Sequence, residues 1–275
     1  MRVEIYSDPA VFLRDAMPML ALREAENNLI IGRTMNVIGN TWPDRALLAV
    51  VKESDRPILA AFMTPPHHLV LTDGPAAAIK ALVEELRQYS IALPGVCGPV
   101  PAVDEFLGWW IVGNAGVSLH RRLRIFQLDK VIRPERVRGE FVEATSDDAP
   151  VLEKWWDAFG AEIGEQLSRD GAREGIAMRL SSRQIFLWRN DGKIVSMAAW
   201  AGPTPNGVRI NLVYTPSEFR NHGYASTNVA ALSQRLLDSG KKFCYLFTDL
   251  ANPTSNSIYQ KIGYRAVCDW MVYNL

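Results

Sequence analysis

The chain has 275 residues, 48% of them hydrophobic and 22% charged, and its 30 basic residues balance its 30 acidic ones. This length favours two domains, and a zero net charge excludes a global attraction to nucleic acid or membranes. Three widely spaced cysteines form no CxxC pair or zinc pattern, Asp8 and Pro9 interrupt any signal peptide, and no apolar window approaches a membrane span of about 18 residues. We therefore expect a soluble, cytoplasmic protein with reduced thiols and no metal.

The first half begins with a helical pattern over residues 11–28, in which Pro18 predicts a kink. Strand-like runs bounded by turn residues follow at 46–52, 58–63 and 68–72. Asp73 then predicts the cap of a helix that has Pro75 in its first turn. Further apolar segments occur around Val96 and at 123–128.

A charged, proline-containing stretch at 131–138 predicts a linker between domains at 1–130 and 139–275. In the second half, strands are predicted at 141–144, 185–189, 193–201, 207–214, 243–249 and 266–273. Helices are predicted at 149–160 and 173–180, over a long segment ending at Gly240, and at 253–262. The strand, turn, strand, turn, strand succession of 47–72 resembles that of 185–215, and a helix follows each, although any α+β chain can show such runs.

The segment 211–240 predicts an anion site at the junction of a strand, a loop and a helix. Arg220-x-x-Gly223-x-Ala225 leads directly into the helix, whose first N–H groups have no acceptor within it. Gly223 permits close backbone approach, and Arg220 adds a fixed positive charge. A pyrophosphate suits such a site, but the motif is neither a Walker loop nor GxGxxG, and a helix can begin with Gly and Ala for structural reasons alone.

A second group of residues follows the next strand. Asn252 is suited to cap a helix that has Pro253 at its first position and ends at Gly263. Tyr259 lies one position away from the apolar stripe of this helix, so its hydroxyl can face a cleft.

Together the two segments resemble the GCN5-related N-acetyltransferase (GNAT) family, over about residues 140–275. The resemblance rests on Arg220-x-x-Gly223-x-Ala225 and on Asn252-x-x-Ser255-x-x-x-Tyr259-x-x-x-Gly263-Tyr264, each after a strand. With the internal repeat, it implies an α/β (α+β) fold of tandem GNAT-like domains, each a mixed, mostly antiparallel twisted sheet flanked by helices. The first copy is expected to be degenerate and not to bind CoA, because 71–75 lacks the motif.

The resemblance implies that the C-terminal half binds acetyl-CoA as acyl donor. The helix start would hold the pyrophosphate, and the strand before it would pair with the pantetheine arm after separating from strand 243–249. The cofactor-binding residues so implied are Val213, Tyr214, Thr215, Arg220, Asn221, His222, Gly223, Tyr224, Ala225, Asn252 and Asn256.

It further implies direct attack of an amine on the thioester, with Tyr259 as the acid that protonates the departing thiolate; the alternative for Tyr259 is a packed aromatic. Some family members carry a Glu base where this chain has Arg209, which cannot accept a proton at neutral pH. Asp249 is the preferred candidate base and Glu218 the second. The alternative is a structural role, as a turn or cap residue for Asp249 and as a solvated charge for Glu218. A water relay or an already neutral amine would make a side-chain base unnecessary.

The acceptor is expected to be a small-molecule amine, with no nucleic acid or membrane partner and with a homodimer left open. Core packing is the default for the tryptophan pairs 109–110 and 155–156, and a hydrophobic acceptor cleft is the alternative. Asn211, a polar residue in an apolar strand, is a candidate for lining that cleft. The competing functions are a non-catalytic CoA sensor or assembly protein and an unrelated nucleotide-phosphate binder.

Overall fold

A computed structural model describes residues 1–38, 46–89, 91–111, 116–135, 137–164 and 169–275. The strands in these residues, β1 to β12 in chain order, are Arg2–Ile5, Leu47–Glu53, Arg56–Met63, Leu69–Leu71, Gly95–Pro99, Ser118–Leu128, Glu140–Glu143, Ile185–Asn190, Lys193–Ala201, Gly207–Tyr214, Phe243–Asp249 and Arg265–Asn274. The α-helices in the same residues, α1 to α8, are Pro9–Leu20, Asn28–Val37, Ala76–Gln88, Val100–Trp110, Ala149–Glu162, Arg169–Ser181, Tyr224–Asp238 and Pro253–Ile262. None of the helices in these ranges combines the length and the apolar character that crossing a membrane requires.

The strands form one continuous sheet in the order β1-β2-β3-β4-β5-β12-β6-β11-β10-β9-β8-β7. Neighbouring strands are antiparallel except for β4 with β5 and β10 with β11. The final strand of each half crosses to the other half, because β12 pairs with β5 and β6 pairs with β11. The predicted mixed, mostly antiparallel sheet is confirmed, but the two halves share a single sheet through these exchanged strands.

Helices cover both faces of the sheet, and the alternation of side chains along the strands assigns them to layers. On one face, α1 and α2 pack over the first half and α5 and α6 over the second. On the other face, α3 and α4 cover the first half and α7 and α8 the second. The helix starts that follow the two parallel strand pairs therefore lie on a common face.

Most second-half elements lie within two residues of their predicted bounds, and those that match at both ends are 193–201, 207–214, 243–249 and 253–262. The single helix predicted over 11–28 is wrong. Asp8 caps α1 by accepting a hydrogen bond from the Ala10 N–H at 2.7 Å, and α1 ends at Leu20. A second helix, α2, then runs from Asn28 to Val37.

The predicted capping role of Asp73 is also wrong. Its carboxylate pairs with the Arg23 guanidinium at 2.7 Å, and α3 begins after Pro75 without a side-chain cap. Asp73 therefore forms an ion pair with a residue distant in sequence instead of capping the helix that follows it. Helix α4 was not predicted, although its buried residues recur at helical spacing: Ala102, Val103, Phe106 and Leu107.

Contacts between the halves include a buried carboxylate. Glu24, after α1, accepts hydrogen bonds from the Thr204 hydroxyl at 2.5 Å and from the main-chain N–H of Asn206 and Gly207 at 2.8 and 3.1 Å. These groups belong to the loop between β9 and β10. A side chain from the first half therefore fixes the entry of the strand that leads to the candidate site.

Candidate functional site

Strands β10 and β11 run parallel but are paired only where they begin. Residues 207–209 pair with 243–245, and no further register joins the two strands in the described residues. Beyond that point β10 continues along β9 and β11 continues along β6. The predicted separation is therefore present after Arg209 and Tyr245, and it leaves the facing main-chain groups of both strands without ladder partners.

A β-bulge lies in β10 beside this separation. Asn211 pairs with Ala199 and Tyr214 with Met197, so the register shifts between them. Leu212 within the bulge has φ 50°, a left-handed conformation that costs a non-glycine residue about 1 kcal/mol or more. A bulge frees main-chain groups from the ladder and redirects side chains. Sequence periodicity did not predict this irregularity.

The start of α7 has the geometry of an anion site. Gly223 is the N-cap residue with φ 79°, a conformation that glycine adopts without steric penalty, and no side chain caps the helix. The Thr227 N–H makes the first helical hydrogen bond, to the Gly223 carbonyl at 3.0 Å. The N–H groups of residues 224–226 therefore have no acceptor within the helix, and residues 221–223 are exposed to solvent. The helix dipole adds positive potential at the same point.

Arg220 and His222 brace the loop that leads to this helix. Arg220 Nε donates to the Thr215 carbonyl at 2.9 Å, and the Arg220 guanidinium forms an ion pair with Glu162 at the end of α5. His222 Nδ1 lies 2.7 Å from the Arg220 carbonyl, and its ring stacks on that of Tyr224. Since Glu162 offsets the charge of Arg220, main-chain donors and the helix dipole supply most of the attraction for an anion.

The residues around the start of α8 serve local structure. Asn252 Oδ1 accepts from the Ser255 N–H at 3.0 Å, as expected of an N-cap. One carboxylate oxygen of Asp249 accepts from the Ala251 N–H at 2.7 Å. Asn256 Nδ2 donates to the Asp249 carbonyl at 3.0 Å, while Asn256 Oδ1 is buried without a partner. Asp249, the preferred base, is thus held in a turn by one oxygen. Its proposed role and the cofactor roles of the two asparagines stay predictions.

Tyr259 lies under the separated strands. It is 8% exposed and packs in one hydrophobic cluster with Tyr264 and Val213, the latter near the end of β10. Burial raises the pKa of Tyr259 to about 12, so its phenol keeps its proton at neutral pH. The Tyr264 hydroxyl is engaged with Ser233 Oγ at 2.8 Å. Tyr259 therefore combines the protonation state of an acid with the packing of a core aromatic.

On the opposite face, several polar side chains lie beneath α5 and α6. Asn211 Oδ1 and Trp156 Nε1 are both buried without a hydrogen-bond partner. Trp155 is a core residue whose ring meets that of Tyr214 edge to face, with centroids 5.7 Å apart. The pair 155–156 is thus divided between core packing and a polar environment, whereas the pair 109–110 ends α4 in the first half.

The corresponding region of the first half is closed by its own contacts. Strand β4 pairs with β5 at only two positions, and the hydroxyl and N–H of Thr72 bind the main chain of Ala60. A Cβ on Gly74 would lie 2.8 Å from the Ile58 carbonyl oxygen. The segment after β4 therefore packs against β3. That this half does not bind CoA stays a prediction.

Comparisons with known proteins agree with this architecture. Residues 188–272 match the family model described as FR47-like protein. No curated protein sequence matches the chain.

Solved structures match over the whole length. A GCN5-related N-acetyltransferase from Sphaerobacter thermophilus has a TM-score of 0.65 and 14% identity, over 99% of this chain and 95% of that one. A GNAT-family acetyltransferase from Colwellia psychrerythraea has a TM-score of 0.59 and 9% identity, over 99% and 98%. A tandem GNAT protein from the clavulanic acid biosynthesis pathway has a TM-score of 0.58 and 14% identity, over 100% and 98%. The fold of this chain is therefore the tandem GNAT fold.

Proposed function

We propose that the chain is an acyl-CoA-dependent N-acyltransferase that moves an acetyl group from acetyl-CoA to a small-molecule amine. The observation that carries this proposal is the position of the uncapped α7 start directly after the strand that parts from β11. Both parts of the donor then find complementary groups, because a pyrophosphate needs N–H donors and an extended amide-containing arm needs a free strand edge.

The residues fit this donor without rearrangement of the helix start. The N–H groups of residues 224–226 have no acceptor within the helix, residues 221–223 before them are exposed, and Gly223 places no side chain between these donors and a ligand. Residues 213–215 lie at the end of the bulge and directly after it, beside the separation, where the pantetheine arm would pair. The GNAT fold supports an acyltransferase in general, and the acetyl group, the acceptor and the turnover belong to this proposal.

In the proposed reaction, the amine nitrogen attacks the thioester carbonyl carbon, and the C–S bond of the resulting tetrahedral species breaks. Main-chain N–H groups near 213–215 stabilise the oxyanion, an effect of about 3 kcal/mol for one well-placed donor. Tyr259 delivers its proton to the departing sulfur, a contribution of about 10²–10⁴-fold. The amine proton passes to Asp249, whose second oxygen the turn leaves available, or through water.

The experiment that tests this proposal measures CoA and acetyl-CoA binding by calorimetry and free thiol release with a panel of primary amines. Tight CoA binding with amine-dependent thiol release supports the enzyme. Binding without release on any amine would instead support a sensor or assembly protein. Stronger binding of ATP than of CoA would contradict both and favour a nucleotide-phosphate binder.

A further inference from the structure

Two partly exposed arginines on the α5/α6 face of the sheet have no carboxylate partner among the residues that the structure describes. Arg209 on β10 donates to Asn28 Oδ1 on α2 at 3.2 Å. Arg179 on α6 donates to the Gly175 carbonyl at 2.9 Å, and its guanidinium lies 4.7 Å from the centre of the Trp156 ring. Neither arginine takes part in an ion pair of the described residues, unlike Arg220 and Arg189.

Their location is beside the separated strands. Arg209 and Asn211 are two residues apart on β10, so their side chains leave the same face of the sheet, just before the bulge. The α7 start, where the donor pyrophosphate is proposed to bind, belongs to the opposite face. An acceptor that enters from the arginine face can therefore reach the thioester through the separation without crossing the donor.

The electrostatics of this face favour an anion. Burial and then the neighbouring charges of Arg33 and Arg179 lower the pKa of Arg209 to about 10, so Arg209 remains cationic at neutral pH. Like charges held close together destabilise a folded protein unless an anion compensates them. The cluster also has unused donors, because Arg179 Nε and Trp156 Nε1 are buried and have no acceptor in the described part of the chain.

We propose that Arg179, Arg209 and Trp156 bind an anionic group, a carboxylate or a phosphate, that the acceptor amine carries. A guanidinium fork matches either group with paired hydrogen bonds, and an indole N–H can add a third. The inference rests on the proposed N-acyltransferase function and narrows its substrate class to amino acids and phosphorylated amines. An amine without an anion would leave the arginine charges uncompensated.

The test compares amines in pairs that differ only by the anion. Glycine is paired with methylamine, phenylalanine with phenethylamine, and phosphoethanolamine with ethanolamine, and each is titrated calorimetrically into the CoA-saturated protein. We expect the anionic member of at least one pair to bind about 10-fold tighter or more. Which pair shows the preference distinguishes a carboxylate from a phosphate. Equal affinities within every pair, or no binding by any anionic member, would overturn the inference.

Substitutions test which residues cause the tighter binding of anionic amines. Arg179→Gln and Arg209→Lys should each reduce it, since the first removes a charge and the second removes the fork while keeping the charge. Arg173→Gln is the matched control, because Arg173 is an exposed arginine on the same helix. CoA affinity measured on each variant reports whether it is folded. A preference that persists in both Arg179→Gln and Arg209→Lys would contradict the assignment.

The rate of thiol release with the same amines provides an independent test. If anionic and neutral amines show equal kcat/KM, the acyltransferase proposal is supported and the anion site is contradicted. If no amine reacts, the acyltransferase proposal is contradicted, and the affinities measured by calorimetry still decide whether the arginine cluster is an anion site.

Discussion

Gly32 on α2 and Gly202 after β9 meet backbone to backbone, so that a Cβ added to Gly32 would lie 2.7 Å from the Gly202 Cα. Main chain cannot yield as the end of a flexible side chain can. The two halves are therefore in contact at a point where only hydrogen atoms fit, next to the loop that Glu24 holds.

Gly32→Ala should therefore destabilise the protein by about 1–3 kcal/mol through overpacking, although alanine favours a helix. Urea unfolding measures the change in the free energy of unfolding. Gly108→Ala on α4 is the control, since no atom of the described residues lies within 4 Å of its added Cβ, and it should be neutral or stabilising. Equal effects of the two substitutions would show that the contact between the halves is not tight.

Glu24→Gln should destabilise the protein by about 1.5–3 kcal/mol at neutral pH, because it removes a charged acceptor of several hydrogen bonds. Burial alone would raise the pKa of Glu24, but hydrogen bonds from Asn206 and Thr204 outweigh it and lower the pKa below 4.5. The contribution of Glu24 is therefore present above pH 4.5 and is lost as pH falls through the folded-state value.

The difference between wild type and Glu24→Gln should accordingly shrink below about pH 4.5 in urea unfolding measured across pH. The exposed Glu53 supplies the control, and Glu53→Gln should change stability little at any pH. If the difference in the free energy of unfolding stayed constant from neutral to acidic pH, the charge of Glu24 would not be what stabilises the loop.

Gly223→Val should weaken CoA binding by about 10-fold or more. Valine at φ 79° is strained, and its Cβ would lie 2.9 Å from Val137 Cγ2, so the substitution distorts the helix start and covers its N–H groups. Gly240→Val is the matched control at the other end of α7, where φ is 97° and no atom lies within 4 Å of the added Cβ. It carries similar backbone strain and should leave CoA affinity unchanged in calorimetry. Similar losses in both variants would remove the helix start from the binding site.

Tyr259→Phe should lower turnover about 10²-fold or more while acetyl-CoA affinity changes little, because only the proton donor is lost. Tyr264→Phe is the control, since the Tyr264 hydroxyl bonds to Ser233 and should affect stability without affecting turnover. With the pKa of Tyr259 raised to about 12, wild-type turnover should show no decline from its ionisation up to about pH 10. Wild-type turnover in Tyr259→Phe would exclude it as the acid.

Much of the second half could be predicted from sequence because its signals are local. The turn at Asn190-Asp191-Gly192, the helix start at Gly223 and the cap at Asn252 each specify structure within a few residues. The exchange of β6 and β12 could not be predicted, since both strands have the same local pattern whichever neighbour they adopt. The same limit applied to Asp73, whose partner Arg23 is distant in sequence.

For the site, the motif residues were predictable, but their charge balance was not. Nothing near Arg220 in sequence indicates that Glu162 offsets its charge, and nothing near Arg209 indicates that Arg179 shares its face. The available signal was Arg209 itself, a charged residue in the apolar strand 207–214, which the family resemblance marks only as a missing base. An arginine in such a strand also predicts a buried anion partner.

The exchanged strands bear on how this chain can evolve. The strand from the first half, β6, is the neighbour of β11, which borders the gap where the thioester is proposed to bind. Deletion of the first half would remove β6 and expose that edge of β11. A chain with this sheet order can therefore change the loops of its first half, but it cannot lose the last strand of that half without disturbing the border of the proposed thioester site.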